Sequence, residues 1–366
     1  MSTMPDATMA TILIAAGGTG GHVYPALAIA QKLRATGNRV VWLGVRHGLE
    51  AEVVPQVGIE LCFVSVVGLR RRGLSPWLLA PFRLARALLQ ALSVVWRLKP
   101  QAVLGMGGFA SGPGAVAAWL LRRPLLIHEQ NAVPGLTNRL LSKIADVILE
   151  SFPDSFPPQC KAIRTGNPLR EEILKVEAPA TRLAGRNGPL RVLVLGGSLG
   201  AQRLNEVVPQ ALKQLPDSVQ VDVRHQTGRR HLAATVELYE SLGLRIVPDA
   251  YIEGIGEAYA WADLAVCRAG AMTVSELAAA GVPAILVPFP YAVDDHQTLN
   301  ARYLAQAGGA VLLPEHQLEP QGLSRLLADF HDARDRLASM ANKARACALR
   351  DASSDIAELC LEAANA

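Results

Sequence analysis

The chain has 366 residues, half of them apolar and only 5% aromatic, and its formal net charge is +4. This length allows two domains with separate cores, and the abundance of Val, Leu, Ala and Gly suits parallel strands that helices bury on both faces. The small charge and the lack of a reader motif argue against nucleic acid as a partner. The five cysteines are scattered and form no CxxC pair, so neither a disulfide framework nor a zinc site is expected, and a reducing cytoplasm is the default compartment.

Apolar runs alternate with amphipathic runs in the first half of the chain. The apolar runs are ATILIAA (10–16), RVVWLG (39–44), AVLGMG (102–107) and PLLIHEQ (124–130), and the alternation predicts βαβ units around a parallel sheet. The first run enters a glycine turn without a basic region or a cleavage site, so it predicts a strand rather than a signal peptide. The uncharged stretch 100–121 is long enough to span lipid, but its five glycines would leave backbone groups unpaired there, and no transmembrane span is expected.

A basic and apolar segment lies between Glu60 and Glu129. This region contains nine arginines and lysines and no acidic residue. Such a segment suits an anionic lipid surface, but a core-facing helix with its basic residues toward solvent explains it equally well. The candidates for a membrane patch are Trp77, Leu78, Leu79, Phe82, Arg83 and Arg86.

The second half repeats the organisation of the first. A proline-rich stretch (152–168) is predicted to be an interdomain hinge, and beyond it VLVLGGSLGAQ (192–202) has the same strand, glycine turn and helix pattern as ILIAAGGTGGH (12–22). We therefore predict an α/β protein with two Rossmann-like, doubly wound parallel-sheet domains that face each other across a cleft. The further predicted strands are VQVDVRHQ (219–226), LRIVPDAY (244–251), LAVC (264–267) and AILVPF (284–289).

Three glycine-rich loops follow predicted strands: GGTGGH (17–22), GMGGFASG (105–112) and GGSLG (196–200). Backbone N–H groups in such loops, and at the helix N-termini that follow them, can bind a diphosphate. The first and third loops match neither a dinucleotide fingerprint nor a P-loop, and no acidic residue ends the second strand. This argues against a nicotinamide-dependent oxidoreductase. Three such loops in two domains predict two anionic ligands.

Several polar side chains near these loops are candidates for chemistry. His22 lies at a helix N-terminus, where the helix dipole disfavours imidazolium and keeps a neutral base available, although a packed or capping histidine explains it as well. The run after LAVC predicts a helix that opens on Thr273, where Glu276 either closes a capping box or accepts the hydroxyls of a ribose. The clusters HEQN (128–131) and DDHQ (294–297) suit hydrogen bonds to sugar hydroxyls, with buried loop anchoring as the alternative. No D-x-D and no His/Cys ligand cluster occurs, so no metal held by either signature is predicted.

Seven motifs occur in the order found in one bacterial family: GGTGGH, GMGGFASGPG, HEQN, GNPLR, GGSLGA, CRAGAMTVSE and DDHQ. Over nearly its whole length the chain resembles the GT-B glycosyltransferases that convert lipid I to lipid II. The resemblance implies an inverting transfer of N-acetylglucosamine from UDP-N-acetylglucosamine to the muramoyl 4-hydroxyl of undecaprenyl-linked lipid I. This reaction belongs to peptidoglycan synthesis, on which the cell wall, cell shape and cell division depend. The resemblance also implies no cofactor and no essential metal, and domains of residues 1–165 with 351–366, and 166–350.

The same resemblance implies a location and a set of site residues. The enzyme would be peripheral at the cytoplasmic face of the inner membrane, with the anionic lipid surface and cell-wall synthesis proteins as partners and with residues 70–97 facing the lipid. His22 would be the general base, or would orient the acceptor hydroxyl. The acceptor diphosphate would rest on Gly17, Gly18, Gly107, Gly108 and Ser111. The donor and its sugar would contact Thr19, Gly20, Gly21, Asn131, Arg170, Ser198, the backbone of Ile252, Ala271, Met272, Thr273, Val274, Ser275, Glu276 on the ribose, and Gln297, whereas His296 carries no firm role.

Two other classes of protein share parts of this pattern. A UDP-sugar 2-epimerase has the same two-domain architecture and donor pocket, but it needs neither a lipid surface nor acceptor loops. A non-catalytic nucleotide-sugar sensor would carry the same binding residues without turnover. An activity measurement separates these classes.

Overall fold

The structure is a computed structural model that describes residues 9–66, 80–197 and 200–366. The chain divides into two compact units. The first unit runs to Leu169 and includes Arg350–Ala366, and the second unit is Arg170–Leu349. Each unit is built around one all-parallel sheet covered by helices, which confirms the predicted α/β class with two parallel-sheet domains.

The strands consist mainly of Val, Leu, Ile and Ala, and most of their side chains are buried, as expected for parallel strands covered on both faces. Those of the first unit are Thr11–Ala15 (β1), Arg39–Gly44 (β2), Glu60–Phe63 (β3), Ala102–Gly105 (β4), Leu125–Glu129 (β5), Val147–Glu150 (β6) and Ile163–Arg164 (β7). Those of the second unit are Leu190–Leu195 (β8), Val221–Gln226 (β9), Leu264–Cys267 (β10), Ala284–Leu286 (β11) and Ala310–Leu312 (β12).

Helices connect these strands, and three short 3₁₀ turns lie at 158–160, 293–295 and 315–317 among the described residues. In the first unit the helices are Gly20–Ala35 (α1), Glu50–Gln56 (α2), Ala80–Leu98 (α3), Ser111–Leu120 (α4), Leu136–Leu141 (α5) and Ala352–Asn365 (α15). In the second unit they are Glu171–Leu174 (α6), Pro179–Arg182 (α7), Gln202–Lys213 (α8), Leu232–Ser241 (α9), Ile255–Trp261 (α10), Ala271–Ala280 (α11), His296–Gln306 (α12), Pro320–Asp332 (α13) and Arg334–Ala346 (α14).

The first sheet has the strand order β3-β2-β1-β4-β5-β6-β7. Ile14 of β1 pairs with Trp42 on one side and with Leu104 on the other. The direction of winding therefore reverses between β1 and β4. In open α/β sheets such a reversal leaves a crevice beyond the carboxyl ends of the two strands, which is where ligands bind.

The last helix of the chain belongs to the core of the first unit. Ile356, Ala357 and Cys360 of α15 are buried in the same apolar cluster as Ile29 and Leu33 of α1. Helix α15 thus covers one face of the first sheet together with α1, although the whole second unit separates it in sequence from that sheet.

The second sheet has the strand order β12-β11-β10-β8-β9, and its winding reverses between β8 and β10. Residues 244–251, predicted to form a strand, do not form one, so that prediction is wrong. Only Asp249 forms a bridge, to Gln226 of β9. The preceding residue, Pro248, has no N–H group to donate to a ladder, and the side chain of Val247 is 86% exposed instead of buried in a sheet.

Helix α3 carries the described part of the predicted membrane patch. Phe82 is 75% exposed, Leu89 and Trp96 are each 67% exposed, and Arg83 and Arg86 are also exposed. The predicted patch residues Trp77, Leu78 and Leu79 lie outside the described residues. Over the described ranges, no helix is both long enough and apolar enough to cross a bilayer.

Candidate active site

Two glycine loops of the first unit touch where β1 and β4 end. Gly17 and Gly18 follow β1, and Gly107 and Gly108 follow β4. A Cβ atom on Gly108 would lie 1.9 Å from the carbonyl oxygen of Gly17, and the φ angle of Gly108 is +77°. Only glycine meets both conditions. The structure therefore brings together the two loops that were predicted to hold the acceptor diphosphate.

The first loop is held from inside the protein by Glu50, a residue the sequence did not single out. The Glu50 side chain is fully buried. Its Oε2 atom accepts a hydrogen bond from the N–H of Gly18 at 3.1 Å, and its Oε1 atom accepts one from the N–H of Val45 at 2.9 Å. A Cβ atom on Gly44 or Gly48 would lie within 2.6 Å of this side chain. The N–H of Gly18 is thus bonded to a carboxylate, and the expectation of a diphosphate cradle rests on the other N–H groups of the loop.

The other predicted residues of this loop region lie at helix starts. Thr19 is the N-cap of α1 and has an extended backbone, and Gly20 and Gly21 are the first two helical residues. Ser111 is the first residue of α4 and is fully buried. Among the described residues its hydroxyl has no hydrogen-bond partner, so a contact between Ser111 and an acceptor stays a prediction.

His22 is the third residue of α1 and is partly buried. Its Nδ1 atom lies 3.0 Å from Oε1 of Gln130, which directly follows β5. A Cβ atom on Gly107 would lie 2.9 Å from the same Nδ1. The imidazole therefore packs on the second glycine loop while a side chain from the neighbouring strand holds it, so that β1, β4 and β5 all contribute to its position.

The HEQN cluster acts largely as an internal anchor. His128 is fully buried, its Nε2 lies 3.0 Å from the carbonyl oxygen of Gly166, and burial lowers the pKa of His128 to about 4. The backbone and side-chain amides of Asn131 both donate to Oε1 of Glu129, at 3.0 and 3.2 Å. Loop anchoring, the alternative interpretation, therefore describes His128 and Glu129, whereas a sugar contact by Asn131 stays a prediction.

The second unit contains a cavity of about 670 Å³ where β8 and β10 end. This size is typical of small-ligand sites. Two predicted donor residues, Thr273 and Gln297, line it together with the glycines of the third loop, whereas Ser198 lies outside the described residues. The lining residues are Leu195, Gly196, Gly197, Gly200, Ala201, Gln202, Arg203, Glu206, His231, Arg268, Gly270, Thr273, Phe289, Tyr291, Gln297 and Glu315.

Arg268 is a cation of this cavity that sequence reasoning missed, although it is the residue directly after β10. Its guanidinium donates to the carbonyl oxygens of Val287 and Pro288 at 3.2 and 3.3 Å, forms an ion pair with Glu315, and lies 5.4 Å from the ring centroid of Phe289. These contacts hold a planar cation at the wall of the cavity. Guanidinium groups held in this way bind phosphate oxygens well.

Glu276 lies on α11, but the prediction of how this helix begins is wrong. The helix begins at Ala271 with Gly270 as its N-cap, and the first helical hydrogen bond runs from the N–H of Val274 to the carbonyl oxygen of Gly270. Thr273 is therefore the third helical residue instead of the cap. Because Thr273 is not a cap, Glu276 does not close a capping box with it.

Two side chains hold the Glu276 carboxylate instead. The hydroxyl of Tyr259 donates to its Oε2 at 2.9 Å, and Nη2 of Arg170 lies 3.4 Å from its Oε1. Burial raises the pKa of Glu276, while the Arg170 charge opposes that shift. The structure thus brings together two predicted donor residues, and it adds Tyr259, a fully buried phenol that no motif indicated.

The remaining predicted donor residues lie on the same unit. The N–H of Ile252 donates to Oε1 of Gln226 at 3.0 Å. Oε1 of Gln297, the second residue of α12, accepts from the N–H of Phe289 at 2.9 Å. The other predicted contacts on α11 occupy its first turns, where Ala271 and Val274 are buried and Met272 and Ser275 are partly buried.

Comparisons with known proteins agree with this architecture. Models of the N-terminal and C-terminal domains of glycosyltransferase family 28 match residues 12–150 and 191–358. A UDP-N-acetylglucosamine–N-acetylmuramyl-(pentapeptide) pyrophosphoryl-undecaprenol N-acetylglucosamine transferase of Alkalilimnicola ehrlichii is 55% identical over 353 residues, which cover 96% of this chain and 99% of that protein. The transferase of the same name from Marinobacter nauticus is 50% identical over 362 residues, covering 99% and 100%. The crystal structure of Acinetobacter baumannii MurG matches with a TM-score of 0.83 and 39% identity, covering 96% of this chain and 99% of that one.

Two parallel-sheet units, each with a glycine loop where its winding reverses, together with both family 28 domain matches, define a GT-B glycosyltransferase. Identity of 50% or more with the two relatives, over nearly the full length of each protein, defines a narrower group. The chain belongs to the MurG family, the UDP-N-acetylglucosamine-dependent transferases within glycosyltransferase family 28.

Proposed function

We propose that this protein transfers N-acetylglucosamine from UDP-N-acetylglucosamine to the muramoyl 4-hydroxyl of undecaprenyl-linked lipid I, giving lipid II for peptidoglycan synthesis. The observation that carries this proposal is 50% and 55% sequence identity, over nearly the full length, to two transferases whose names state this donor and this acceptor. The cavity beside the third glycine loop and the imidazole beside the first two loops support it, because the reaction needs a nucleotide site and a base.

The second unit is proposed to hold the donor. The diphosphate of UDP would meet Arg268, the N–H groups of the third glycine loop and the N-terminus of α8, all at the cavity where β8 and β10 end. Arg170 and Ser198 would add contacts to the nucleotide portion. Glu276 would accept the ribose hydroxyls from its fixed position between Tyr259 and Arg170. Positive charge and helix N–H groups placed at the leaving diphosphate lower the barrier to its departure.

The rest of the donor site follows the predicted contacts. The backbone of Ile252 would meet the uracil, the first turns of α11 would surround the nucleoside, and Gln297 would bond the sugar hydroxyls. Asn131 and the loop that carries Thr19 would contribute from the first unit. These roles are proposals that rest on motif positions and on the lining of the cavity.

The first unit is proposed to supply the base. The 4-hydroxyl oxygen of the muramoyl sugar attacks the anomeric carbon of N-acetylglucosamine while the bond from that carbon to UDP breaks. The imidazole of His22 takes the hydroxyl proton, and UDP departs with the electron pair of the broken bond. A single displacement of this kind inverts the anomeric centre and gives a β-linkage. The lipid diphosphate would rest on the contacting loops of Gly17, Gly18, Gly107 and Gly108.

Helix α3 is proposed to face the inner membrane from the cytoplasmic side, where cell-wall synthesis proteins are further candidate partners. Its exposed Phe82, Leu89 and Trp96 offer apolar area, and Arg83 and Arg86 offer charge for anionic lipid. Each basic residue near such a surface contributes about 1 kcal/mol. A variant with Arg83→Ala and Arg86→Ala is therefore expected to bind anionic vesicles roughly 30-fold more weakly in co-sedimentation.

A control variant removes the same charge elsewhere. Arg229 and Arg230 are exposed on the second unit, and replacing both with alanine is expected to leave vesicle binding within threefold of wild type. Equal losses in the two double variants would mean that net charge, and not helix α3, governs the attachment.

The function itself is tested by turnover. Purified protein is incubated with UDP-N-acetylglucosamine and a short-chain lipid I analogue in the presence of EDTA, and both UDP and the disaccharide product are measured. Product that depends on the acceptor and forms in EDTA supports a metal-independent transferase. Donor consumed without acceptor, giving UDP and an epimer, would identify an epimerase. Donor binding without turnover would identify a sensor.

A further inference from the structure

Gln130 occupies a buried position between three groups of the first unit, and its amide can point in only one direction. Its nitrogen Nε2 lies 2.9 Å from the carbonyl oxygen of Met106 and 3.1 Å from Nδ1 of His128. A carbonyl oxygen only accepts hydrogen bonds, so the atom facing Met106 must be the NH₂ group. The amide oxygen Oε1 therefore faces Nδ1 of His22 at 3.0 Å.

His128 makes this orientation persist. Its Nε2 lies 3.0 Å from the carbonyl oxygen of Gly166, so Nε2 carries the ring proton and Nδ1 is an acceptor for the Gln130 NH₂ group. Burial lowers the pKa of His128 to about 4, so this ring stays neutral near pH 7. Ser151 belongs to the same network: its Oγ lies 3.2 Å from Nε2 of His128, and its single hydroxyl proton has two acceptors at 2.9 Å, the carbonyl oxygen of Glu129 and Oδ1 of Asn167.

The orientation of the Gln130 amide determines the tautomer of His22. An amide oxygen accepts only, so Nδ1 of His22 must carry a proton to bond with it. In the neutral ring the lone pair is then on Nε2, the nitrogen turned away from Gln130. The same hydrogen bond survives when the ring becomes imidazolium, because both nitrogens then carry protons.

We infer that Gln130 is a positioning residue that holds His22 as the Nδ1–H tautomer, so that Nε2 is the atom that takes the acceptor proton. This inference rests on the proposed role of His22 as the base. It extends that role by assigning the reacting nitrogen and the residue that selects it. The arrangement follows the logic of a catalytic triad, in which a third group orients the base, but here the third group is an uncharged amide held by Met106 and His128.

A purely structural role for Gln130 makes a different prediction. Its bond to Met106 also ties the second glycine loop to the end of β5, so a loss of activity alone would fit either role. The tautomer of His22 separates them, because loop anchoring does not require the proton to be on Nδ1. Nitrogen-15 NMR of histidine-labelled protein reports the tautomer directly, since protonated and unprotonated ring nitrogens have well-separated chemical shifts.

The experiment uses the full chain labelled with ¹⁵N-histidine, with the His22 signals assigned by their loss in His22→Ala. Wild-type protein is expected to show a protonated Nδ1 and an unprotonated Nε2 in the neutral ring of His22. Gln130→Met keeps the size of the side chain and removes its polar atoms, and it is expected to let the Nε2–H tautomer appear. Its kcat should fall about 10- to 100-fold, with the KM for UDP-N-acetylglucosamine unchanged within twofold.

The matched control is Gln101→Met. Gln101 accepts a hydrogen bond from the N–H of Thr11 at 2.8 Å, at the opposite end of β1, so the same substitution there should leave both the tautomer and kcat as in wild type. A wild-type His22 with its proton on Nε2 would overturn the inference, even if Gln130→Met failed to fold. An unchanged tautomer in a folded Gln130→Met would overturn it as well.

One further outcome separates the inference from the function on which it rests. If Gln130→Met changes the tautomer but leaves kcat intact, Gln130 does position the ring, and the proposal that His22 is the base fails instead.

Discussion

The two units differ at the place where the winding of each sheet reverses. In both units a glycine loop follows the first strand at the place where the winding reverses, between β1 and β4 or between β8 and β10. In the first unit, side chains of the protein occupy this place: Glu50 accepts from the N–H of Gly18, and Gln130 bonds to His22. In the second unit a cavity of about 670 Å³ with Arg268 at its wall lies there. One switch point is therefore filled by side chains of the protein, and the other leaves space for a ligand.

The charged side chains at the two switch points differ as well. The carboxylate nearest the first loop, Glu50, is buried under it and bonded to backbone N–H groups. Two guanidinium groups, those of Arg203 and Arg268, line the cavity of the second unit, together with the carboxylates of Glu206 and Glu315. Glu50 takes the N–H of Gly18, so a diphosphate in the first unit would meet the other N–H groups of the loops, whereas one in the second unit would also meet a cation. This contrast leads to four predictions.

The largest effect is expected from His22→Ala. Removing a general base typically lowers the rate about 10²- to 10⁴-fold. The kcat should therefore fall by a factor in that range, while the KM for the donor stays within threefold of the wild-type value. Steady-state rates of disaccharide formation at saturating acceptor measure this. Full turnover by His22→Ala would show that His22 is not the base, and it would contradict the contrast between the two units.

The next effect is expected from Glu276→Gln in the second unit. Glutamine keeps the shape of the side chain but removes the charge that would accept the ribose hydroxyls. Hydrogen bonds to charged groups contribute about 1.5–3 kcal/mol, so the donor KM should rise roughly 10- to 100-fold with little change in kcat. Tyr259→Phe, which removes only the group that orients Glu276, should raise the KM less. A loss of kcat at constant KM would show that Glu276 acts on the chemistry instead.

Glu50→Gln is expected to weaken the first unit. A glutamine amide offers one acceptor oxygen where Glu50 offers two, so the N–H of either Gly18 or Val45 would face an NH₂ group and lose its acceptor in a part-buried position. Such a group costs about 1–3 kcal/mol, to be measured by urea unfolding followed through the buried Trp42. Glu60→Gln is the control, because Glu60 pairs with Arg39 on the surface with half of each side chain exposed, where an ion pair contributes little. Equal losses in the two variants would contradict the role of Glu50.

The smallest expected effect is a pH dependence of the unfolding free energy, to which a buried histidine in each unit contributes. Burial lowers the pKa of His128 to about 4 and that of His225 to about 3, whereas an unfolded histidine has a pKa of about 6.5. The unfolded chain therefore binds more protons, and stability falls as the pH drops below about 6.5. Between pH 7.5 and 5.5 each histidine should cost about 1.3 kcal/mol of unfolding free energy.

Urea unfolding at these two pH values tests this prediction. In His225→Gln the acid loss should shrink by about the contribution of one histidine, because His225 then no longer titrates. An acid loss of the same size in wild type and variant would contradict the buried, neutral state of His225.

The fold was predictable because its strands are continuous apolar runs, which buried parallel strands require. The error at residues 244–251 arose because apolar content alone does not reveal which backbone groups find a partner, and Pro248 offers no N–H. The start of α11 was also wrong, because the sequence offered Thr273 as a plausible cap whereas the backbone of Gly270 takes that place. Boundaries of this kind depend on backbone geometry that a short motif does not determine.

The site was predictable where its residues follow strands, and less so where they meet through folding. The glycine loops and Glu276 stand directly after apolar runs or in recognisable motifs. The contacts that orient them join residues far apart in sequence: Gly18 and Glu50 are 32 positions apart, and His22 and Gln130 are 108 apart. Gln130 belonged to the HEQN motif, but nothing in the sequence indicated its contact with His22, and no motif contained Tyr259. Arg268 was the exception, since a lone cation directly after β10 could have been recognised from position alone.

The most direct test of the contrast between the two units is donor binding without acceptor. UDP-N-acetylglucosamine is titrated by calorimetry into wild-type protein, His22→Ala and Glu276→Gln. If the second unit holds the donor and the first supplies the base, His22→Ala binds with a Kd within twofold of wild type, whereas Glu276→Gln binds roughly 10- to 100-fold more weakly. A donor affinity lost in His22→Ala and retained in Glu276→Gln would contradict the account.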